Sequence, residues 1–414
     1  MSHNNNPFIS DTFSEIWKKR FANPKLIKSF SFIKNLTFFK HPFLPFYTNV
    51  GKNLTKGVSY TLEQNTSKDF KKNTLLIYDV PQYFEIKTTT TLKNLRLIKI
   101  KQYPGYLIQL KKHTNFNNYL KSTFSKSSVQ KFNRYKKRLE SCFNIDEKML
   151  IGNIDKAEYD NVFNHFNHLL TKRFEDKQIT NNNLNPDEWA FYYDVVFPMI
   201  LEKKAALHVI YNNNIPISIR LLYFSDAIIF DAITVFDIDY SKFHIGKVSI
   251  MKVLEWSFNS NYKYFDFSKG YFDYKESWSD LKYNFEYHLY FDTKSLIANI
   301  LGNSIATFFK LKQFLRDKEF DKKLHQLTFL LKKEKALSSE TLKQIPPNQV
   351  SLTETMLTKI NINNIDYAFL KKYAYNFLFL TTEHINDLKV FKCNDANQNT
   401  YYLIKGKNNE QLIG

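Results

Sequence analysis

Cysteine is nearly absent from this 414-residue sequence, which contains only Cys142 and Cys393. The two lie far apart in the chain, and neither has a second thiol or a histidine at ligand spacing. We therefore expect neither a disulfide framework nor a thiolate metal site. His165 and His168 stand at i and i+3 on a predicted helix, but no acidic residue completes a ligand set, so no metal is expected.

Long apolar runs are also missing. The first 21 residues lack the apolar segment of a secretory signal. The longest apolar stretch near the C-terminal half, Ile297 to Phe309, is interrupted by polar residues and is too short to span a bilayer. The sequence therefore predicts a soluble, cytoplasmic protein without a transmembrane segment.

Basic residues outnumber acidic ones, 59 against 40, which gives a net charge of +19. Such a charge suits an anionic partner: nucleic acid, a membrane surface or a phosphorylated substrate. Lysine occurs along the whole chain, however, and is mostly used on solvated surfaces, so only local clusters of charge are informative. With 43% hydrophobic and 24% charged residues, the chain is globular and long enough for two or three domains.

Glycine is scarce, with nine in the chain, so a glycine directly after a strand indicates a position that a side chain would obstruct. Gly270 follows the alternating segment Tyr264 to Ser268, which is typical of a half-buried strand and has Asp266 on its polar face. Lys275 comes next, among aromatic residues that include Tyr274. It is either a partly desolvated functional amine or a surface lysine lying along its aromatic neighbours.

The first interpretable region contains three predicted strands, 75–80, 95–102 and 106–111, with a turn at Pro104-Gly105 between the last two. Ser127 to Gln130 has the form of a capping box, so a helix is predicted to start there.

One face of this predicted helix is apolar, with Phe132, Tyr135 and Leu139 at helical spacing. Lys131, Arg134 and Arg138 fall on another face. They form a positive stripe that could hold phosphates, or an ordinary solvated surface.

The rest of the chain alternates between helix and strand, which predicts an α/β fold. Helices are predicted over 159–174, which ends in Lys172-Arg173, from Pro186 to about 203, and over 246–258. An antiparallel meander is predicted over 206–211, 215–224 and 227–235, and a further strand over 283–292.

From 297 to about 337 the sequence predicts basic helices that are polar on most sides. Ile345-Pro346-Pro347-Asn348 is a linker signal. Strands are predicted over 376–381, 388–391 and 401–405. We therefore divide the chain into residues 1–145, 146–296, a basic helical segment 297–345, and a small α/β unit 350–414.

Residues 120 to 292 resemble the GNAT superfamily of acyltransferases, in particular the bacterial branch of polysaccharide-biosynthesis acetyltransferases and Fem-type peptidoglycan aminoacyl transferases. The resemblance lies in the Ser127 to Arg138 helix, the Lys172-Arg173 pair, the helix after Gly246 and the block from Phe265 to Lys275. It implies two tandem GNAT-like domains with mixed, largely antiparallel sheets flanked by helices. Residues 1–145 would be a degenerate first domain and residues 146–296 the acyltransferase domain.

The resemblance also implies that Lys275 lies near the transferred acyl carbonyl. A fixed cation there would stabilise the charge that develops on the carbonyl oxygen. Asp266 could accept the nucleophile's proton, orient Lys275, or simply cap the turn at Gly270. Gly270 and Tyr274 are then expected to contact the acceptor.

The glycine-rich loop that holds CoA pyrophosphate in GNAT enzymes is incomplete here. Gly246 matches its first glycine, but Phe243 replaces the expected Arg or Gln and Val248 replaces a small residue. Lys242 and Lys247 could supply charge instead. The acyl donor is therefore predicted to be acetyl-CoA or another acyl-CoA or, as in the Fem-type branch, an aminoacyl-tRNA.

The leading hypothesis is a cytoplasmic acyltransferase that moves acetyl from acetyl-CoA to an amine or hydroxyl of a sugar nucleotide or related cell-surface precursor. The positive stripe of Lys131, Arg134 and Arg138, together with Lys172-Arg173, would hold the acceptor's phosphates. One alternative is aminoacyl transfer from tRNA to a peptidoglycan precursor or protein. Another is a non-catalytic GNAT-fold module that binds nucleic acid or, by peripheral contact, an anionic membrane.

Overall fold

The computed structural model describes residues 5–63, 69–84, 86, 93–177, 182–318, 342–346, 357–394 and 399–414. The helices are α1 Asp11–Phe21, α2 Phe116–Thr123, α3 Lys126–Cys142, α4 Lys156–Asp176, α5 Pro186–Leu201, α6 Ile245–Phe258, α7 Asp273–Trp278, α8 Leu296–Asp317 and α9 Lys371–Thr381. The strands are β1 Ile27–Ser29, β2 Ile33–Lys34, β3 Thr37–Lys40, β4 Tyr47–Asn49, β5 Thr61–Leu62, β6 Thr74–Pro81, β7 Leu95–Gln109, β8 Ile145–Leu150, β9 Ala205–Asn212, β10 Ile215–Phe224, β11 Ile228–Phe236, β12 Tyr264–Lys269, β13 Leu281–Asp292, β14 Gln344–Ile345, β15 Thr358–Ile360, β16 Lys389–Asn394, β17 Thr400–Lys405 and β18 Glu410–Ile413.

A single mixed sheet of eleven strands organises most of the described chain, in the order β1-β3-β4-β6-β13-β7-β12-β11-β10-β9-β8. The predicted mixed, largely antiparallel architecture with flanking helices is confirmed. Strands from residues 1–145 and 146–296 interleave, since β13 lies between β6 and β7, and β7 in turn pairs with β12. The two halves therefore share one continuous sheet.

The predicted turn at Pro104-Gly105 is wrong, because β7 runs without interruption from Leu95 to Gln109. Both residues pair with β13, Pro104 with Asn284 and Gly105 with Tyr283. A Cβ atom on Gly105 would lie 2.2 Å from the ring of Tyr283. The glycine is needed because this aromatic ring crosses the strand at that point, and not because the chain reverses there.

Helix α3 begins slightly earlier than predicted. Its cap is Ser125, whose Oγ accepts a hydrogen bond from Ser128 N at 3.3 Å, so the capping box proposed at Ser127 is wrong. The predicted apolar face is confirmed, since Phe132 and Leu139 are buried.

Helix α8 is not polar on most sides as expected. Its inner side packs Ile305 and Phe309 against the β6–β13 region of the sheet. Its outer side carries large apolar side chains that are 55–74% exposed, namely Leu296, Ile297, Ile300, Phe308, Leu311 and Phe314. The remainder of the predicted basic helices, from 319 to about 337, lies outside the described residues.

The C-terminal unit contains α9 and a five-stranded sheet in the order β14-β18-β17-β16-β15. The predicted strand over 376–381 is wrong, because these residues belong to α9, where Ala374, Phe377 and Leu378 are buried at helical spacing. Ile345 pairs with Leu412 in this sheet, so the linker signal begins inside it. Pro347 and Asn348 lie outside the described residues. In the part of the chain that the structure describes, no helix has the length and apolarity to cross a membrane.

Candidate active site

The parallel strands β11 and β12 stop pairing after Phe230 and Asp266. We call the space between their carboxyl ends the crevice. Their pairing covers only Ile228 to Phe230 against Tyr264 to Asp266, although β11 continues to Phe236 and β12 to Lys269. The carboxyl ends of diverging neighbouring strands are where open α/β sheets bind ligands. Helix α6 follows β11 and the short α7 follows β12, so both helices start at this crevice.

Lys275 lies at the β12 side of the crevice and is only 7% exposed. Its Nζ donates to the carbonyl oxygen of Lys269 at 3.0 Å and lies 5.0 Å from the ring centroid of Phe272. Within the described ranges it forms no ion pair with a carboxylate. Burial lowers the pKa of Lys275 to about 8, although Asp231 and Asp266 act in the opposite direction. The result is a desolvated cation that keeps donor capacity for a ligand.

The turn that presents Lys275 depends on Gly270. Its φ of +130° lies outside the range that other residues readily adopt, and a Cβ there would lie 2.8 Å from the Phe272 ring. Ser268 is also left-handed, with φ 62°, and its buried Oγ has no hydrogen-bond partner. Two unusual backbone positions in three residues indicate a strained strand exit, of the kind that is common at functional sites.

Asp266 is fully buried and accepts three hydrogen bonds. Tyr83 and Tyr283 donate to its Oδ2 at 2.8 and 2.6 Å, and the backbone N of Ser268 donates to Oδ1 at 2.7 Å. Burial raises the pKa of Asp266 to about 6 against these bonds. The bond from Ser268 N spans two residues, as in an Asx turn, and holds the backbone at the end of β12. With both oxygens occupied, the geometry favours a positioning role, and proton acceptance by Asp266 stays a prediction.

A second buried carboxylate, Asp79, comes from β6 and was missed by the sequence analysis. It has a left-handed backbone with φ 63° and accepts hydrogen bonds from Thr55 at 3.0 Å, from Gln102 at 2.8 Å and from Lys269. Lys269 is therefore neutralised inside the site.

Lys56 was also missed. Burial lowers the pKa of its ammonium group to about 8, and the positive charges of Lys269 and Lys275 lower it further. Its Nζ has no hydrogen-bond partner in the described ranges. No local signal could have found it, since it lies in the unassigned first 60 residues and only the shared sheet brings it near Lys275.

The β11 side of the crevice contains the buried ion pair Arg220–Asp231, with 2.5 Å between Arg220 Nη1 and Asp231 Oδ2. Arg220 also donates to Ser249 of α6 at 3.1 Å and to Thr234 at 2.9 Å. Tyr274 faces this pair: burial of its hydroxyl, with the charge of Asp231, raises the pKa of Tyr274 to about 12. The Tyr274 ring itself is 40% exposed, which places it at the mouth of the crevice.

The adjacent residues Lys172 and Arg173 have different environments. Lys172 Nζ donates to Asp237 and to Asp239, both at 2.6 Å, so its charge is matched. Arg173 lies with its guanidinium 4.2 Å from the Phe236 ring centroid and has no hydrogen-bond partner among the residues described. Burial lowers its pKa, and it interacts electrostatically with Tyr274 and Arg220. Arg173 therefore faces the crevice.

The three cations predicted on α3 do not form one set. Lys131 and Arg134 are exposed, whereas Arg138 lies 4.6 Å from the ring centroid of Phe379 in the C-terminal unit. Phosphate binding by this stripe stays a prediction.

Gly246 and Lys247 occupy the first turn of α6. A Cβ on Gly246 would lie 2.8 Å from the ring of Phe236, and Lys247 Nζ lies 5.5 Å from the ring centroid of Phe132. Both residues contact aromatic side chains of the protein itself. Among the described residues no group of three or more His, Cys, Asp or Glu side chains could hold a metal ion.

Comparison with protein families gives a match for the region around the crevice. Residues 127–276 match the family model described as an acetyltransferase (GNAT) domain, a range that extends from α3 to the residue after Lys275. This match confirms the predicted GNAT resemblance. A search of curated proteins found no match.

Solved structures with similar folds share little sequence with this chain. They include FemX, at 10% identity over 69% of this chain and 92% of that one, with a TM-score of 0.46. The C-terminal domain of a putative lysylphosphatidylglycerol synthetase from Agrobacterium fabrum is 7% identical over 65% and 85% of the two chains, with a TM-score of 0.41. A tandem GNAT protein from the clavulanic acid biosynthesis pathway is 7% identical over 66% and 86%, with a TM-score of 0.33.

Proposed function

We propose that this chain, which contains a GNAT-type acetyltransferase domain over residues 127–276, transfers an acyl group to an amine or hydroxyl of an anionic acceptor bound between β11 and β12. The observation that carries the proposal is the buried ammonium of Lys275, which has one backbone acceptor and no carboxylate partner in the described ranges. Such a group is suited to stabilising negative charge that appears only during the reaction.

The acceptor's nucleophile attacks the acyl carbonyl, and the carbonyl oxygen becomes an oxyanion in the tetrahedral intermediate. Lys275 donates a hydrogen bond to that oxygen. The C–S or C–O bond to the donor then breaks, the carbonyl re-forms, and the CoA thiol or tRNA hydroxyl leaves after taking up one proton, which balances the proton that the nucleophile loses. Asp266, which holds the Ser268 turn at 2.7 Å, fixes the strand exit from which Lys275 is presented.

The acceptor's anionic group is held by Arg173 and Lys56 in this proposal. Both cations lack hydrogen-bond partners in the described part of the chain, and both have a pKa lowered by burial. An anion would remove the cost of burying them unpaired. A sugar nucleotide or related cell-surface precursor supplies such an anion as phosphate. Lys172 is not assigned to the acceptor's anionic group, because Asp237 and Asp239 already bind its ammonium group.

Acetyl-CoA is the proposed donor, with aminoacyl-tRNA as the second candidate. A specific observation favours the second candidate: a Cβ atom on Gly246 would lie 2.8 Å from the ring of Phe236, which fills the space beside this glycine. That glycine therefore has a packing reason that is independent of a pyrophosphate. Since acyl-CoA, sugar nucleotides and charged tRNA are cytoplasmic compounds, we also propose a cytoplasmic location.

The two donors are distinguished by binding. A ligand that binds the native state raises the melting temperature at concentrations well above its dissociation constant, so acetyl-CoA should raise it if acetyl-CoA is the donor. No shift with acetyl-CoA, together with tRNA binding that weakens steeply with salt, would select the aminoacyl reaction.

Contact with a membrane surface would suit a lipid-anchored acceptor. The C-terminal end of α8 lies beside the segment that follows β12, where Tyr271 OH donates to Asp317 Oδ1 at 3.2 Å, and the exposed apolar side chains of α8 extend from there along the helix. Sedimentation with vesicles containing anionic lipid tests this contact. Unchanged sedimentation after Ile297→Ser and Phe308→Ser would exclude α8 as the contact surface.

The activity itself is tested by acyl transfer across a panel of sugar-nucleotide acceptors, using acetyl-CoA and charged tRNA as donors. Lys282→Ala is a matched control for Lys275→Ala, because Lys282 is exposed and pairs with Glu276 at 2.9 Å. Turnover should be lost in Lys275→Ala and kept in Lys282→Ala. Undiminished turnover in Lys275→Ala would refute the role of Lys275. No transfer by the wild type, with salt-sensitive binding of nucleic acid or vesicles, would favour the non-catalytic module.

A further inference from the structure

A cavity of about 580 Å³ lies between the main sheet and the C-terminal unit, away from the crevice. One wall is formed by the β9–β10 hairpin and the chain after β11, and the other by β15, α9 and the start of β16. Its volume is within the usual range for small-molecule sites. We propose that this cavity is a second ligand site, which binds a small organic anion with an apolar body and a hydrogen-bond donor.

The charge of the lining selects an anion. Lys359, Lys371 and Lys389 all line the cavity, and none of them forms an ion pair within the described ranges. The one carboxylate in the lining, Asp237, is already bound by Lys172 at 2.6 Å. The positive charge in the cavity is therefore unmatched on the protein side.

A buried acceptor selects the donor group. Asn212 is 8% exposed, and its Oδ1 has no hydrogen-bond partner, while its Nδ2 donates to Tyr240 OH at 2.9 Å. Leaving a buried acceptor unsatisfied costs roughly 1–3 kcal/mol. This oxygen is covered in the structure, so a ligand O–H or N–H group satisfies it once the Asn212 side chain turns toward the cavity.

Branched aliphatic side chains account for much of the remaining lining, including Ile217, Ile362 and Val390. They favour a ligand with an apolar body between its anionic group and its donor. The C-terminal unit supplies Ile362, Val390 and all three lysines, so the site exists only because that unit is attached to the sheet.

The cavity is connected to the crevice through adjacent residues. Asp237 lines the cavity and follows Phe236, on which the Arg173 guanidinium rests at 4.2 Å. Asp237 also binds Lys172, the residue before Arg173. A ligand that shifts Asp237 would move the cation assigned to the acceptor, so occupancy would alter acyl transfer. This last step rests on the proposed function; the binding site does not.

Binding is measured first, by isothermal titration of the full chain with three matched probes. We use 4-hydroxyphenylacetate, phenylacetate, which lacks the donor, and 4-hydroxybenzyl alcohol, which lacks the charge. We expect saturable binding of 4-hydroxyphenylacetate with one site, several-fold weaker binding of phenylacetate, and none of the alcohol. Equal binding of all three, or no saturable binding of 4-hydroxyphenylacetate, would overturn the proposal.

Variants locate the site. Lys371→Gln with Lys389→Gln should weaken binding about tenfold or more, as expected for losing bonds to charged groups. Lys372→Gln is the matched control on α9, because Lys372 is exposed and does not line the cavity. Ile362→Trp should abolish binding by filling the space without changing charge, which keeps the test valid if the double variant does not fold.

Arg173→Gln separates the two sites. It should leave probe affinity unchanged, since Arg173 does not line the cavity. Loss of probe binding in Arg173→Gln alone would place the probe in the crevice and overturn the second site. Probe binding with no acyl transfer by the wild type would instead leave the cavity site intact and refute the proposed function.

Discussion

Lysines that are partly or fully buried in this molecule fall into two environments. Around α4 and α6 each has two carboxylate partners: Lys172 binds Asp237 and Asp239 at 2.6 Å, and Lys252 binds Glu140 and Glu147 at 3.1 Å. Burial opposes the charge in both cases, but the carboxylates outweigh it and raise the pKa of Lys172 and of Lys252. In the crevice, Lys275 and Lys56 have no such partners, and burial lowers the pKa of each to about 8.

The difference separates structural cations from cations that are available to a ligand. A lysine held by two carboxylates stabilises the native state and has little charge left to offer. A desolvated lysine without a partner destabilises it, and its position is explained by what it binds.

The largest effect is expected from Lys275→Met. Losing one oxyanion donor lowers kcat by about 10²–10³-fold, so kcat should fall by that factor without a loss of melting temperature. Lys172→Met should do the opposite. It leaves Asp237 and Asp239 close together without their cation, so the melting temperature should fall while kcat stays within a few-fold of wild type. Steady-state kinetics and calorimetry measure both. Equal losses of kcat in the two variants would remove the distinction.

The pH dependence of kcat sharpens the assignment of Lys275. The charged form predominates below its pKa of about 8, so activity that needs the cation holds below pH 8 and falls about tenfold per unit above it. Lys275→Arg should move this fall to higher pH, because a guanidinium stays protonated there. A rate that rises through pH 8 would mean that neutral Lys275 is the active form, acting as a base.

A smaller effect is expected at the acceptor cations. Arg173→Gln and Lys56→Gln should each raise the acceptor KM about tenfold with a much smaller change in kcat, since both groups bind the anion in the ground and transition states. Lys131→Gln and Arg134→Gln are the matched exposed pair on α3. If only the α3 pair raises KM, the acceptor phosphate lies on α3 and the predicted stripe is the binding site.

The smallest effect concerns the framework of the site. Tyr283→Phe removes one of three hydrogen bonds to buried Asp266, which should lower the free energy of unfolding by about 1–3 kcal/mol. Urea denaturation measures this free energy, with Tyr264→Phe in β12 as a control, because the Tyr264 hydroxyl forms no hydrogen bond within the described ranges. No loss of stability would mean that Asp266 is not anchored by this contact.

Local patterns predicted the parts of the site that are close in sequence. The alternation before Gly270 and the meander follow from spacing, whereas the role predicted for Lys275 comes from the family resemblance. The family match from residue 127 to 276 lies where these patterns were found. Lys56 and Asp79 could not be predicted, since they reach the crevice only because β6, β13, β7 and β12 are neighbours in one sheet. The turn predicted at Pro104-Gly105 was wrong for the same reason, because the ring of Tyr283, 178 residues away in sequence, requires the glycine.

Lys172 and Arg173 show a different limit. They are adjacent in sequence and alike in charge, and no local pattern distinguishes their roles. Their roles differ because consecutive positions on a helix point about 100° apart, one toward Asp237 and the other toward Phe236. The exposed apolar side of α8 likewise depends on which side of that helix packs on the sheet.

Titration of individual lysines tests the central claim most directly. Competitive labelling with acetic anhydride, followed by peptide mass spectrometry over a range of pH, reports the pKa of each reactive amine. We expect Lys275 and Lys56 to titrate near pH 8, whereas Lys172 and Lys252 should titrate above the usual lysine pKa of 10.5. All four lysines titrating together near 10.5 would contradict it.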